Sequence, residues 1–256
     1  MTGSIAYDSI AARDDETRGG LVRGASFARS FAAALGEVDG PVLDLGVGTG
    51  AVALPLRELG YEVVGLDLSL PMLSLAHARL GPSVVRGDGM QLPVRSGSLG
   101  AVTMSWVLQL VADQAQVLAE CRRALRPGGR VATIVATPVE VEPPDFAPII
   151  TALGERLGMA VDERVDEAQA AAAAAGLEVA GVLETPADVF DESPAGLAEN
   201  IESRLFGGLI GLSDEEFAAK ARPAVDALLA LPEPERPRRR SVAHPLLVLR
   251  PHSRTA

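Results

Sequence analysis

Between Pro41 and Asp88 the chain sets three carboxylates and three glycines at the ends of short apolar runs. "PVLDLGVGTG" reads Asp44-x-Gly46-x-Gly48-x-Gly50, "EVVGLDLS" closes on Asp67, and "SVVRGDGMQLP" closes on Asp88. Alternate glycines after a strand let the backbone turn tightly and approach a ligand with no Cβ in the way. Several nucleotide sites use such a loop, and the dinucleotide form is G-x-G-x-x-G. Here an acidic residue precedes the first glycine by two positions. It would repel a pyrophosphate and suits a ligand that carries an ammonium group. Asp67 stands about twenty residues further on, where a carboxylate accepts bonds from ribose hydroxyls, a feature shared with dinucleotide sites. Asp88 can accept from an adenine amino group, or it can simply form an Asp-Gly turn.

The elements that would position these residues follow from the hydrophobic pattern. "VLDLG", "EVVGLDL", "SVVRGD", "LGAVTMSW" and "GRVATIVAT" read as five buried strands, and "AVALPLREL", "PMLSLAHARL" and "QAQVLAECRRAL" carry the three- and four-residue spacing of packed helices. A parallel sheet covered on both faces is expected, with its ligand beyond the carboxyl ends of the strands. The alanine-rich "DEAQAAAAAAGLEVAGVLET" predicts a helix closed at Gly176 and then a strand, and "SVAHPLLVLR" predicts the last strand, with Pro245 pointing to an edge or a bulge. The expected partition is N-terminal lid helices over 1–38, a ligand-binding core over 39–185, a helical cap insertion over 186–240, and the last strand and tail over 241–256.

At 256 residues and 48% apolar content the chain can fill one large core with an elaboration. The formal net charge of −11 repels phosphate backbones, so no nucleic-acid partner is expected. "RPRRR", Arg236 to Arg240, reads as a solvated charged linker. Cys121 is the single cysteine and sits in a helical pattern as a small packed residue; His77, His244 and His252 show no ligand spacing, so no metal is expected. "MTGSIAYDSI" lacks the pattern of a secretory leader and no run of about 18 apolar residues occurs. A soluble, cytoplasmic protein without membrane insertion is the expectation, as monomer or homodimer.

"VLDLGVGTG", "GLDLS", "GDGMQLP", "SWVLQLVAD" and "LRPGGR" follow one another in an order and at a spacing that resemble class I S-adenosylmethionine-dependent methyltransferases, in the small-molecule branch that includes ubiquinone and menaquinone biosynthesis enzymes. The resemblance covers Pro41 to Thr137. It implies a Rossmann-like α/β fold with a seven-stranded, mostly parallel sheet, helices on both faces and an antiparallel final strand. It also implies S-adenosyl-L-methionine as cofactor and S-adenosyl-L-homocysteine as product. Carried onto matching positions, Asp44 with the backbone of Gly46 and Gly48 would hold the methionine end, and Gly50 would allow the close helix start. Asp67 would hold the ribose, Leu68 and Met72 would flank the adenine, and Asp88, Gly89 and Met90 would meet its edge. Ser105 would face the methionine amine through its backbone. For Leu68 and Met72 ordinary core packing is an equal reading.

The implied chemistry is direct in-line methyl transfer to a small, apolar metabolite such as a polyketide or a quinone precursor. The apolar insertion with Phe190, Phe206 and Phe217 points the same way. Where members of that branch often carry histidine, this chain has Gln109 and Leu110, and Gln109 can orient a substrate but not act as a base. Tyr7, which resembles a lid tyrosine of related enzymes, and Arg204 are the other acceptor-side candidates. The alternative reading is a protein that binds the cofactor without methyl transfer, as a cyclisation or rearrangement catalyst or as a sensor.

Overall fold

The computed structural model describes residues 19–135, 139–159, 161–204, 207–209 and 211–252. The chain divides into two compact units. The first holds residues up to Val135, Val165–Thr185 and the stretch from Pro245; the second holds Ala136–Arg164 and Pro186–His244.

The first unit opens with α1 (Gly20–Leu35). It then alternates β1 (Val42–Leu45), α2 (Ala53–Glu58), β2 (Val63–Asp67), α3 (Leu70–Leu80), β3 (Val84–Arg86), β4 (Leu99–Ser105), α4 (Gln114–Ala124) and β5 (Leu125–Ile134). After the excursion into the second unit come most of α6 (Val161–Ala174), β7 (Leu177–Glu184) and β10 (Pro245–Pro251). Seven strands form one sheet in the order β3-β2-β1-β4-β5-β10-β7. All neighbours pair parallel except β10, which runs antiparallel to both β5 and β7. This is the expected α/β sheet with its antiparallel final strand. Its reversal point lies at β1, flanked by β2 on one side and β4 on the other.

The local reasons are legible. β1 and β4 are buried on both faces almost throughout, as parallel strands covered by helices must be. Helix α3 starts on Ser69, whose side chain accepts from Met72 N at 3.3 Å, with Pro71 in the first turn. Helix α4 starts on Asp113, which accepts from Gln116 N at 2.9 Å. One face of the sheet packs on α1 to α3 through Phe27, Phe31, Leu35, Leu56, Leu73 and Leu80. Cys121 is fully buried in α4, and burial pushes its thiol up to about 12, which leaves it inert at neutral pH.

The second unit contains β6 (Val139–Glu142), α5 (Ala147–Arg156), β8 (Asp188–Glu192), α7 (Pro194–Glu202), α8 (Asp214–Lys220), α9 (Arg222–Leu229) and β9 (Arg238–Ala243). Its strands form an antiparallel sheet in the order β6-β9-β8. Its helices pack around Phe146, Leu197, Ile201, Phe217, Val225 and Leu228. A capping box on Ser213 and Glu216 starts α8.

Several expectations change. The insertion expected over 186–240 is not purely helical, and its unit also takes in Ala136–Arg164, which the expected partition places in the core. "SVAHPLLVLR" is not one strand: β9 ends at Ala243 in the second unit, and β10 begins at Pro245 inside the first sheet. Pro245 therefore occupies a first-residue position, where a missing N–H is tolerated, and the bulge falls at Val248/Leu249; the edge strand on this side of the sheet is β7.

"RPRRR" is not a solvated linker either. Arg238 to Arg240 open β9, the middle strand of the second sheet, and Arg240 is buried at 8% exposure. Its guanidinium donates to Glu140 on one neighbour (2.5 and 2.9 Å) and to Glu192 on the other (2.5 Å), and it lies over the rings of Phe146 and Phe190. Removing one partner of a buried ion pair leaves the other charge uncompensated, at a cost of roughly 3–5 kcal/mol. Arg240→Ala should therefore destabilise the protein by about 3 kcal/mol in urea unfolding, and a change below about 0.5 kcal/mol would mean that the network contributes nothing.

Candidate cofactor site

The glycine loop leaves β1 at the reversal point. Gly46 N and Val47 N both donate to Leu66 O, at 2.7 and 3.0 Å, which binds the loop to the end of β2. Gly46, Gly48 and Gly50 all have left-handed φ values, 73°, 54° and 82°. At Gly46 space decides as well: a Cβ there would lie 2.4 Å from Val107 Cγ2.

Asp44 is 3% exposed within β1, in register with Gly65 on β2 and Thr103 on β4. Thr103 Oγ1 donates to its Oδ1 at 2.9 Å. Burial pushes its pKa from the ordinary 3.8 up to about 7; the Thr103 bond opposes the rise and the neighbouring Asp67 charge adds to it. Asp67, half-buried at the end of β2, accepts from Gly48 N at Oδ2 and from Ser69 N at Oδ1, each at 2.9 Å. A carboxylate offers about four lone-pair sites, so both oxygens keep acceptor capacity for a ligand.

Asp88 is exposed and turns back on itself: Met90 N donates to its Oδ1 at 2.9 Å and Gln91 N to its main-chain oxygen at 3.1 Å. Gln116 on α4 donates to Met90 O at 3.0 Å, and Gly89 faces Leu45, where a Cβ would still fit at 3.4 Å. Leu68 is half-buried and Met72 is 3% exposed on α3. Ser105 is the last residue of β4, and its buried Oγ has no hydrogen-bond partner among the described residues.

Among the acceptor-side candidates, Gln109 lies half-buried in a single 3-10 turn, Leu108–Leu110, just beyond β4. Arg204 belongs to the second unit, where it donates to Leu212 O and Asp214 Oδ1, both at 2.6 Å, and its guanidinium covers the Phe217 ring. Those contacts fasten the segment after α7 to the start of α8. Tyr7 lies outside the described residues.

Sequence reasoning missed four groups around the loop. Thr103 was visible only as a polar residue in an otherwise apolar strand. Arg79, on α3, donates from Nη1 to both Thr49 O and Thr49 Oγ1 at 2.9 Å, and nothing in its helical surroundings marks it. Gly24 lets α1 meet the loop backbone, since a Cβ would lie 2.0 Å from Ala51 O. Trp106, the single tryptophan, follows β4 at φ 57°, stacks edge-on to Phe27 at 5.1 Å and lies under Arg23. A bulky residue in that region is strained and persists only where its surroundings over-determine it.

The geometry can be compared with known proteins. Residues 43–133 match the family model described as "Methyltransferase domain". By sequence, that segment is a methyltransferase domain. S-adenosylmethionine is the cofactor of such domains. The demethylmenaquinone methyltransferase of Renibacterium salmoninarum is 36% identical over 156 residues, 59% of this chain and 63% of that protein. The enzyme of the same name from Thermus thermophilus is 36% identical over 117 residues, 43% of this chain and 53% of that protein. The chain thus spans less than two thirds of these relatives' length. In solved structures, the YcgJ protein of Bacillus subtilis matches with a TM-score of 0.55 at 18% identity, over 89% of this chain and 99% of that one, which shows the shared fold. A methyltransferase of Thermotoga maritima matches with a TM-score of 0.51 at 20% identity, over 74% and 84%.

The raised Asp44 pKa has a consequence for the methyltransferase domain without cofactor. The folded state holds a proton that the unfolded state releases near pH 3.8, so between about 4 and 7 the native state binds more protons and stability falls as pH rises, by up to about 1.4 kcal/mol per pH unit. Above about 7 this contribution is flat. Asp44→Asn should remove that slope and leave the cofactor-free protein more stable than the parent at pH 8. Denaturant titrations across pH 4–8 check this, and parallel pH profiles for the two proteins would refute it.

Proposed function

We propose that the chain is an S-adenosylmethionine-dependent methyltransferase that methylates a small, predominantly apolar metabolite by direct in-line transfer. The observation that carries this reading is the buried Asp44 carboxylate beneath a turn of three left-handed glycines, with Asp67 anchored on the opposite side of that turn. Asp44 and the Gly46 and Gly48 backbone would hold the methionine end, Asp67 the ribose hydroxyls, and Asp88, Gly89 and Met90 the adenine edge, with Leu68 and Met72 beside the base and Ser105 at the amine. Gly50 would let the loop enter α2 closely.

The cofactor supplies a methyl group on a sulfonium, already attached to a good leaving group. The protein therefore has to orient the acceptor, align its nucleophilic atom with the C–S bond and keep water out. Asp44 would be held ionised by the bound ammonium, so cofactor affinity should rise as pH climbs towards 7. Gln109 would orient the acceptor by hydrogen bonding, as it carries no titratable proton. An acceptor that needs positioning rather than a strong base fits this set of groups. The two relatives named above methylate demethylmenaquinone by name, which supports an apolar acceptor here. No helix among the described residues is long and apolar enough to cross a membrane; we place the enzyme in the cytoplasm, as monomer or homodimer.

The test is binding and turnover together. Asp67→Ala removes a charged acceptor of hydrogen bonds, each worth roughly 1.5–3 kcal/mol, and should weaken S-adenosylmethionine at least about tenfold by calorimetry. Methyl-labelled cofactor incubated with a metabolite extract should deliver label to an organic-extractable small molecule. Unchanged affinity in Asp67→Ala would sink the cofactor placement, while label in RNA or protein would sink the acceptor class.

A further inference from the structure

Helix α4, the start of β5 and the end of β10 meet around a cleft of about 860 Å³ in the first unit. Its position follows from register. Leu125 pairs with Leu99 and Ile134 with Ser105, so the start of β5 lies at the amino end of the parallel strands. β10 runs the other way, Leu246 pairing with Ile134 and Leu249 with Val131, which brings Arg250 and His252 to that same end. Six strand steps of β4 separate this end from the glycine loop, about 20 Å.

The cleft is lined by Arg122, Arg123, Arg126, Arg130, Arg250 and His252 together with the apolar Leu125 and Val248, and no carboxylate among the described residues lines it. Three carboxylates lie behind these groups. Glu120 binds Arg123 in two bonds of 2.8 and 2.9 Å, and Arg123 also donates to Leu92 O and Val94 O, so its role is structural. Glu178 meets Arg250 at 2.6 Å, and a fully exposed Asp39 meets Arg126 at 3.3 Å. Arg130 reaches only a main-chain oxygen, Ala34 O, at 3.4 Å, and the exposed Arg122 has no ion pair or hydrogen bond among the described residues. Among the described residues, five guanidiniums against three carboxylates leave an excess of two positive charges in a chain whose net charge is −11.

Like charges gathered from three elements repel one another and lower stability unless an anion offsets them. Guanidinium forks match phosphate oxygens bidentately, and a volume within the ~300–1,000 Å³ range of small-molecule sites exceeds what a single inorganic ion fills. We propose that this cleft is a second ligand site, at the sheet end opposite the cofactor loop, for a polyphosphorylated small molecule of nucleotide size. Arg122, Arg126 and Arg130 take the phosphates and the apolar floor takes the organic part.

Calorimetry of the whole chain at low ionic strength, with tripolyphosphate and separately with ATP as probes, tests it. Saturable binding of tripolyphosphate that Arg122→Glu and Arg126→Glu each weaken about tenfold or more, with S-adenosylmethionine affinity and Tm held at parental values, establishes the site. Tighter binding of ATP than of tripolyphosphate identifies a nucleoside on the floor; equal affinities identify a free polyphosphate chain. No saturation by either probe up to about 1 mM, or binding that both variants leave intact, overturns it. Saturation by an acidic peptide with none by tripolyphosphate overturns it in favour of a protein partner.

Discussion

One carboxylate buried in the middle of a parallel sheet constrains everything around it. Asp44 sits on β1 between two paired neighbours and is nearly inaccessible, so its charge cannot be hydrated. A lone buried charge costs several kcal/mol, and the group responds by holding its proton up to neutrality. Thr103 supplies one bond, which limits the rise without cancelling it. The glycine turn above it is not free to relax. It is tied to β2 through Leu66 O and Asp67, to α3 through Arg79, and it is overlain by α1 at Gly24. The fold thus keeps an acid with a strongly raised pKa under a preformed turn, and in the proposed function a ligand cation would convert that costly group into a favourable one.

The parts of this arrangement that the sequence discloses are those set by local rules. Strands buried on both faces read as unbroken apolar runs, left-handed turns demand glycine, and an acid before such a turn has few structural excuses. Hence β1 to β5, the loop and Asp67 are all visible in the string of residues. What stays hidden depends on partners distant in sequence. Thr103 matters because register places it opposite Asp44, 59 positions away. Arg79 looks like any surface helix arginine until α3 packs beside Thr49. "SVAHPLLVLR" looks like one strand because its alternation is uniform, and only pairing to β6 and β8 on one side of His244, and to β5 and β7 on the other, divides it.

Arg240 shows the same limit from the energetic side. Five residues of Arg and Pro have the composition of a solvated linker, and composition cannot register that Glu140 and Glu192 arrive on either flank with Phe146 and Phe190. Glu140 and Phe146 come from one of the two stretches of chain that make the second unit, and Phe190 and Glu192 come from β8 in the other. Arg204 is the reverse case: a residue with reactive chemistry that is engaged in fastening α7 to α8.

The sheet of the first unit also separates charge along its strands. Asp44, Asp67 and Asp88 gather at or just beyond the carboxyl ends of β1 to β3, while the arginines of α4, β5 and β10 gather at the amino end. With about 20 Å between the two ends and a screening length near 8 Å at physiological ionic strength, neither field cancels the other. The formal charge of −11 describes neither end. In the two proposals made above, a cationic ligand would be drawn to one end and an anionic ligand to the other, without competing for the same potential. An overall acidic balance disfavours long phosphate backbones, which must lie across many surface charges, yet it leaves room for a compact anion that meets only the arginine cleft.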